Sequence, residues 1–458
     1  MTSELAARSA ITLDHPVESP AGVTERPGRW IDGWDPEDAH QWTTYGARVA
    51  RRNLVVSVFA EFLGFGVFAL WSIVVPQLGA AGFALTLNQQ FWLVSIPVLV
   101  GATLRVPYSL AVPRFGGRNW TIASALLLLL PALGLAWAVS NPETPFGVLL
   151  LIASLAGLGG GNFASSMTSI SFFYPNAEKG KALGLNAAGG NLGTAAVQLA
   201  VPLVITAGAG LALDRAGLMF VPLAVLAALL AWRLMDNLSC ATSNRESFAA
   251  ALRMKHTWLL SFVYIGTFGS FIGFSGAFPT LLKSQFPDVS LSLAFLGALV
   301  GSLSRPLGGW LGDRVGGARV TVVSLGLMAL GALGAIVGLQ QASLPIFFGS
   351  FLLLFVFTGV GNGSVYRMIP VVFDLTAPDR SEAGRRAARA VAGGAIGIVG
   401  AISAYGGFLI PRGFAISQDA TGGLTAALVA IIGAYVVMAG VTWVTYGRST
   451  SELGQARV

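Results

Sequence analysis

The sequence predicts an all-α integral membrane protein whose twelve transmembrane helices form two pseudo-symmetric six-helix halves. Three observations predict it. The 458-residue chain is 54% hydrophobic and only 11% charged, with a mean hydropathy of +0.71, and so few charges cannot cover a soluble globule of that size. Its apolar runs recur at the length that crosses hydrocarbon, about 20 residues at a rise of about 1.5 Å each. The second half of the chain also repeats glycines and arginines of the first.

The spans fall at 54–77, 90–112, 119–140, 146–173, 181–206 and 217–235, then at 257–282, 291–311, 319–339, 345–372, 390–411 and 424–446. The polar stretch around Asp236 to Lys255 divides them six and six. This gives an N-terminal segment 1–53, a bundle 54–235, a central loop 236–256, a second bundle 257–446 and a tail 447–458. Residues 1–53 hold six arginines, several acids and no apolar core, so they lack the apolar stretch of a cleavable signal peptide. The first span itself must start insertion.

Orientation follows from the distribution of cations. Of the 28 Lys and Arg, three (Arg215, Lys283, Arg412) fall in outer loops and three (Arg105, Arg305, Arg367) well inside spans, away from their ends, if the N-terminus is cytoplasmic. The remainder are cytoplasmic, which places both termini inside. The same cations produce a pI of about 9.8. They sit in short loops at alternate span ends rather than in one patch, which argues against a nucleic-acid partner. The partner is the lipid bilayer. The single cysteine, Cys240, lies in the central loop, so no intrachain disulfide can form, and His15, His40 and His256 lie outside the spans. No cofactor or metal site is expected.

Placing residue 101 over 301 aligns Gly101 with Gly301, Arg105 with Arg305, Arg114 with Arg314, and Gly116–Gly117 with Gly316–Gly317. Slightly shifted, Gly157, Gly159 and Gly161 of GLGGGNF fall over Gly359, Gly361 and Gly363 of GVGNGSV. Two halves of the same polarity read as a duplicated transporter, its substrate held between them near the midplane.

Apart from residues at the span ends, three arginines and one glutamate fall inside the spans: Arg105, Arg305, Arg367 and Glu61. A charge at a helix centre costs about 2.5–3.5 kcal/mol on insertion scales, so each requires a partner or a function. Snorkelling could serve Arg105 and Arg305 singly. Their symmetric placement favours a shared task, two guanidinium forks converging on one anion. Arg367 is expected to pair with an acid such as Glu61 or to snorkel. Glu61 is read either as half of a structural ion pair or as a proton carrier.

A small oxyanion offers only acceptors, and the planar arginine fork donates two parallel hydrogen bonds to a flat one. Asn186 and Asn191 could add amide donors, and Phe163, Tyr264 and Tyr366 could sandwich a planar ligand. The stretch KALGLNAAGGNLGTAAVQ also demands a reason, because glycine costs a helix about 1 kcal/mol per residue relative to alanine. Gly180 with Gly184, and Gly189 with Gly193, form small-xxx-small pairs, and Gly393 with Gly397 repeats the spacing on the eleventh span. Such pairs let helices approach and slide closely.

Several stretches resemble the nitrate/nitrite porter family (NarK-type) of the major facilitator superfamily. GKALGLNAAGGNLG (Gly180–Gly193) is similar to its first nitrate signature and AIGIVGAISAYGGFLIP (Ala395–Pro411) to its second. The likeness extends through NFASSMTSISFFYP (Asn162–Pro175), LRVPYSLAVPRFGGR (Leu104–Arg118), TFGSFIGFSGAF (Thr267–Phe278) and WDPED (Trp34–Asp38), covering roughly Trp34 to Arg448. The resemblance implies the major facilitator fold, with nitrate and nitrite as substrates. It implies substrate binding by Arg105 and Arg305, with the aromatic pair Phe163 and Tyr366, the seventh-helix Tyr264 and the signature Asn191. GGWLGDRVGG (Gly308–Gly317) resembles the superfamily's loop motif, which implies that Asp313 and Arg314 latch gate helices; in the first half Pro113 replaces the aspartate. Some family members carry phenylalanine at the Tyr366 position and glutamine at the Arg367 position.

With no intramembrane histidine and one acid, electroneutral nitrate/nitrite exchange by alternating access is the expected mode, and a single chain should suffice. Proton-coupled nitrate uptake through Glu61 is the alternative. An anion channel is more remote, since it needs no matched gating turns. The absence of a Ser/His/Asp grouping, a metal-ligand cluster and a Walker loop excludes an enzyme or an ATP-driven pump.

Overall fold

In the computed structural model, twelve helices among the described residues are long and apolar enough to cross a membrane. They are α1 (Ala39–Gln77), α2 (Leu87–Phe115), α3 (Gly117–Val139), α4 (Phe146–Phe173), α5 (Asn176–Ile205) and α6 (Asp214–Leu234), then α7 (Lys255–Gln285), α8 (Leu291–Val315), α9 (Gly317–Gln340), α10 (Leu344–Leu375), α11 (Glu382–Thr421) and α12 (Thr425–Gly447). The structure describes residues 22–208, 210–242, 245–379, 381–448, 452–456 and 458. The first 21 residues of the N-terminal segment, with His15, and part of the 447–458 tail lie outside them. Several helices outrun the expected spans, α1 and α11 most of all. Hydropathy marks only the stretch in hydrocarbon, whereas backbone hydrogen bonding continues into the polar layer.

The repeat is a packing rule. In a bilayer, helices gain little from the hydrophobic effect against one another, so close backbone approach takes its place. A Cβ on Gly157 would lie 2.8 Å from the Gly101 amide nitrogen, and one on Gly359 would lie 2.1 Å from the Gly301 carbonyl oxygen. The aligned glycines therefore seat α4 on α2 and α10 on α8 in the same way. Gly101 and Gly301 also receive the rings of Phe68 and Phe271 at matching distances of 2.9 and 2.8 Å from the Cβ each glycine lacks. Between the paired helices of each half, Gly116 and Gly316 take φ of +88° and +96°. This left-handed turn accepts glycine without strain.

The N-terminal segment is more structured than its composition suggests. Strands β1 (Thr24–Arg26) and β2 (Trp30–Asp32) pair antiparallel. Strand β3 (Asn237–Leu238), at the head of the central loop, pairs parallel with β2. Asp236 holds the junction: its carboxylate receives Arg29 and Arg52 at 2.7 Å each and the Asn53 amide at 2.7 Å. Trp34 of WDPED packs on Tyr45 and Phe173 and donates its indole N–H to the Phe172 carbonyl at 3.1 Å. These elements cover one end of the first half, called the terminal face below. His256 lies in the first turn of α7, one residue before the expected span, in contact with the Tyr446 hydroxyl at 3.0 Å.

Hydrogen bonds that cross between the halves run from mid-depth toward the opposite face. Arg105 reaches Gly400 (2.7 Å), Thr103 meets Tyr405 (2.9 Å), and Gln198 donates to the Ser275 carbonyl (2.7 Å). Farther out, Arg412 donates to Asn88 at 2.8 Å and lies 4.0 Å from the Trp92 ring centroid, while Asn88 also bonds Asp419. On the terminal side of this seam, Gly180, Gly184, Gly393 and Gly397 have nothing within 4 Å of a built Cβ. Among the described residues the hydrogen bonds named between the halves thus lie from mid-depth to the far face, and these four glycines stand open toward the terminal face.

Candidate anion-binding site

The seam and the cleft meet at Arg105. Its helix, α2, carries it to mid-depth, where it is 4% exposed. Its guanidinium lies 4.8 Å from the Phe163 ring centroid on α4 and 5.1 Å from that of Phe268 on α7. Guanidinium stacking on π faces offsets part of the cost of removing the charge from water. One N–H reaches the Gly400 carbonyl on α11, and Nε is buried without a partner. From the other half, Arg305 on α8 lies 5.4 Å from the Tyr366 ring centroid on α10, and its Nη1 is likewise buried and unpartnered. Each half therefore offers one arginine, stacked on an aromatic ring, with a free donor.

Tyr264 on α7 lies within electrostatic reach of both arginines. It stacks on Phe268 with centroids 5.2 Å apart and donates its hydroxyl to Asn362 Oδ1 at 2.5 Å. Immediately after it, Ile265–Gly269 forms a π-helical turn, the kind of irregularity that concentrates at functional positions. Asn191 on α5 is 1% exposed, and its Oδ1 has no partner. Turning that amide over places its two donors where the orphaned oxygen lies, as amide assignment from networks allows.

Other expectations need correction. Arg367 does not pair with Glu61; its Nε donates to Asp313 at 2.8 Å, because α10 turns it toward the terminal end of α8. Asp313, expected with Arg314 to latch gate helices, thereby links α8 to α10, and Arg314 stacks on Trp310 at 4.0 Å. Gly180, Gly184, Gly393 and Gly397 are not packed in this state, since nothing lies within 4 Å of a Cβ built on any of them. Gly189 and Gly193 do pack: a Cβ there would lie 2.4 Å from Val58 and 2.1 Å from the Phe62 carbonyl oxygen of α1. Spacing alone could not tell the two groups apart, because small-xxx-small pairs mark a face and not its neighbour.

Comparison with known proteins identifies the chain's relatives. The Major Facilitator Superfamily model matches residues 55–411. The nitrate/nitrite transporter NarU of Salmonella typhimurium (strain LT2) is 42% identical, the match covering 91% of this chain and 96% of the relative. The probable nitrate/nitrite antiporter NarK2 of Thermus thermophilus is 39% identical, with 93% and 98% covered. The chain belongs to the nitrate/nitrite porter family of the Major Facilitator Superfamily. A D-xylose-proton symporter shares the porter's fold at a TM-score of 0.65 and 16% identity, covering 86% of this chain and 97% of that one.

Within the porter, three contributors to the site escape sequence reasoning. Phe268 is one, although it lies within TFGSFIGFSGAF and repeats the place of Phe65 in the first half. Asn362 is another, hidden among the glycines of GVGNGSV. The third, the Gly400 carbonyl, leaves no trace in a side-chain pattern at all. Asn186, offered with Asn191 as an amide donor to the anion, donates to Glu61 Oε2 at 2.6 Å, and Ser166 donates to the same oxygen.

Proposed function

We propose that this porter exchanges nitrate for nitrite across the cell membrane by alternating access, with Arg105 and Arg305 clamping the anion between Phe163, Tyr366 and Tyr264 and with Asn191 as a further donor. The observation that carries the reading is the pair of ring-stacked arginines, one per half, each with a buried N–H that lacks an acceptor. A planar oxyanion supplies the missing acceptors to both at once. The two bundles 54–235 and 257–446 move as bodies about this point, and both termini face the cytoplasm of a single functional chain in the inner membrane.

Exchange suits the electrostatics. Nitrate entering against an inside-negative potential is opposed by about 2.3 kcal/mol per 100 mV, and outgoing nitrite cancels that cost. Two relatives are named as probable antiporters, at 39% and 28% identity, which supports the same mode. Proton-coupled uptake is the second reading, favoured by the buried carboxyl group of Glu61.

Counterflow in proteoliposomes separates the two. Labelled nitrite should leave on addition of external nitrate at zero potential and zero proton gradient. Its retention under those conditions, with nitrate uptake appearing only on an imposed proton gradient, would overturn exchange.

A further inference from the structure

We propose that Glu61 is a fixed negative charge built into the wall of the anion site, which leaves the empty site with one net positive charge and so selects monovalent over divalent anions. The inference rests on the exchange reading and extends it to selectivity.

Three helices build a seat for this carboxylate. On α1, Glu61 is 1% exposed. Ser166 of α4 and Asn186 of α5 both donate to its Oε2. Gly190 of α5 makes room for the other oxygen: a Cβ there would lie 2.5 Å from Oε1 and 2.9 Å from Glu61 Cγ. Oε1 itself is buried with no partner. The seat also connects to the site, because the Ser166 hydroxyl contacts the carbonyl oxygen of Phe163 at 3.2 Å, and Phe163 is the ring beneath Arg105.

The groups facing Glu61 decide its role. Arg105 from α2 and Arg305 from α8 lie within its electrostatic reach. Tyr366 from α10 is the remaining titratable neighbour, and α4 and α5 present Ser166 and Asn186. A carboxylate out of water is costly unless paired and hydrogen-bonded; the two donors to Oε2 and the field of the two guanidinium groups offset that cost. In return, the carboxylate offsets the mutual repulsion of the arginines. Two cations and one anion sum to +1. Nitrate or nitrite brings the site to zero, so the loaded site can pass through a closed, dry state without carrying net charge. The empty site cannot, which makes exchange obligatory. A divalent anion would leave a net negative charge in the same dry space.

Two neutral replacements and one charged control test this. Glu61→Gln keeps an oxygen for Asn186 and Ser166, Glu61→Met removes every polar contact, and Glu61→Asp keeps the charge. Nitrate and sulfate binding are measured on purified protein by ligand-induced thermal shift, and nitrate/nitrite exchange in proteoliposomes. Sulfate should bind at least about 10-fold more tightly to a folded neutral variant than to the parent, by removal of one nearby like charge, and the Asp variant should keep the parental preference. Parental sulfate binding in either folded neutral variant would overturn the proposal. So would proton movement coupled to nitrate in the parent that is lost in Glu61→Gln. Absence of exchange in the parent, together with charge-dependent sulfate binding in the variants, would sink the exchange reading and leave the counter-charge standing.

Discussion

Arg105 Nη1 donates a 2.7 Å hydrogen bond to the carbonyl oxygen of Gly400, joining α2 of one half to α11 of the other. The guanidinium thus serves the seam and the cleft together: one N–H ties the halves while Nε waits without an acceptor. An ammonium group carries its three donors on one nitrogen and cannot present them at separate corners of a rigid plane. Arg105→Lys is therefore expected to lower exchange by at least about 100-fold while leaving the protein monodisperse with a near-parental melting temperature. Arg305→Lys should do the same. Full uptake in either variant would mean that these side chains merely reach for the interface.

The wall glycines carry a prediction about the opposite state. Gly184 and Gly397 face open space now, so Gly184→Leu and Gly397→Leu should fold normally and keep nitrate-induced thermal stabilisation. If the walls meet when the cleft closes, each added side chain obstructs closure, and turnover should fall by roughly 10-fold or more. Parental turnover in both would show that these faces never approach one another.

By contrast, Gly359→Ala should damage the fold itself. Its Cβ would stand 2.1 Å from the Gly301 carbonyl oxygen, and backbone cannot yield as a flexible side chain does. Overpacking of this sort costs about 1–3 kcal/mol or more, to be read as a lowered melting temperature beside an unaffected Gly397→Ala control.

At the terminal face, Asp236 collects Arg29, Arg52 and Asn53 with only 4% of its side chain exposed. Removing one partner of a buried ion pair leaves the others uncompensated, so Asp236→Ala should destabilise the first half by about 3 kcal/mol. A melting temperature within error of the parent would show that the strands and loop hold without it.

Topology can be checked with the natural sequence, because Cys240 is the single cysteine and is exposed beside β3. A membrane-impermeant maleimide should label right-side-out vesicles only after permeabilisation. Labelling of intact vesicles would reverse the proposed orientation.

The fold was legible because membrane folding leaves coarse, local marks. Hydrocarbon thickness sets the length of each apolar run, and the repeated glycines at 101/301 and 157/359 announced the duplication that packing then explained. The arginine pair was legible for the same reason, since a charge in hydrocarbon is too costly to be incidental. Sequence alone could not determine who stands opposite whom. Arg367 met Asp313 instead of Glu61, and Asn186 turned out to hold Glu61. Four of the suspected packing glycines met open space while Gly190 made room for a carboxylate. Those outcomes depend on the rotation of each helix about its axis and on which face of the protein is sealed. Both are set by contacts between segments far apart in the chain, and the Gly400 carbonyl that receives Arg105 belongs to a backbone that every residue shares.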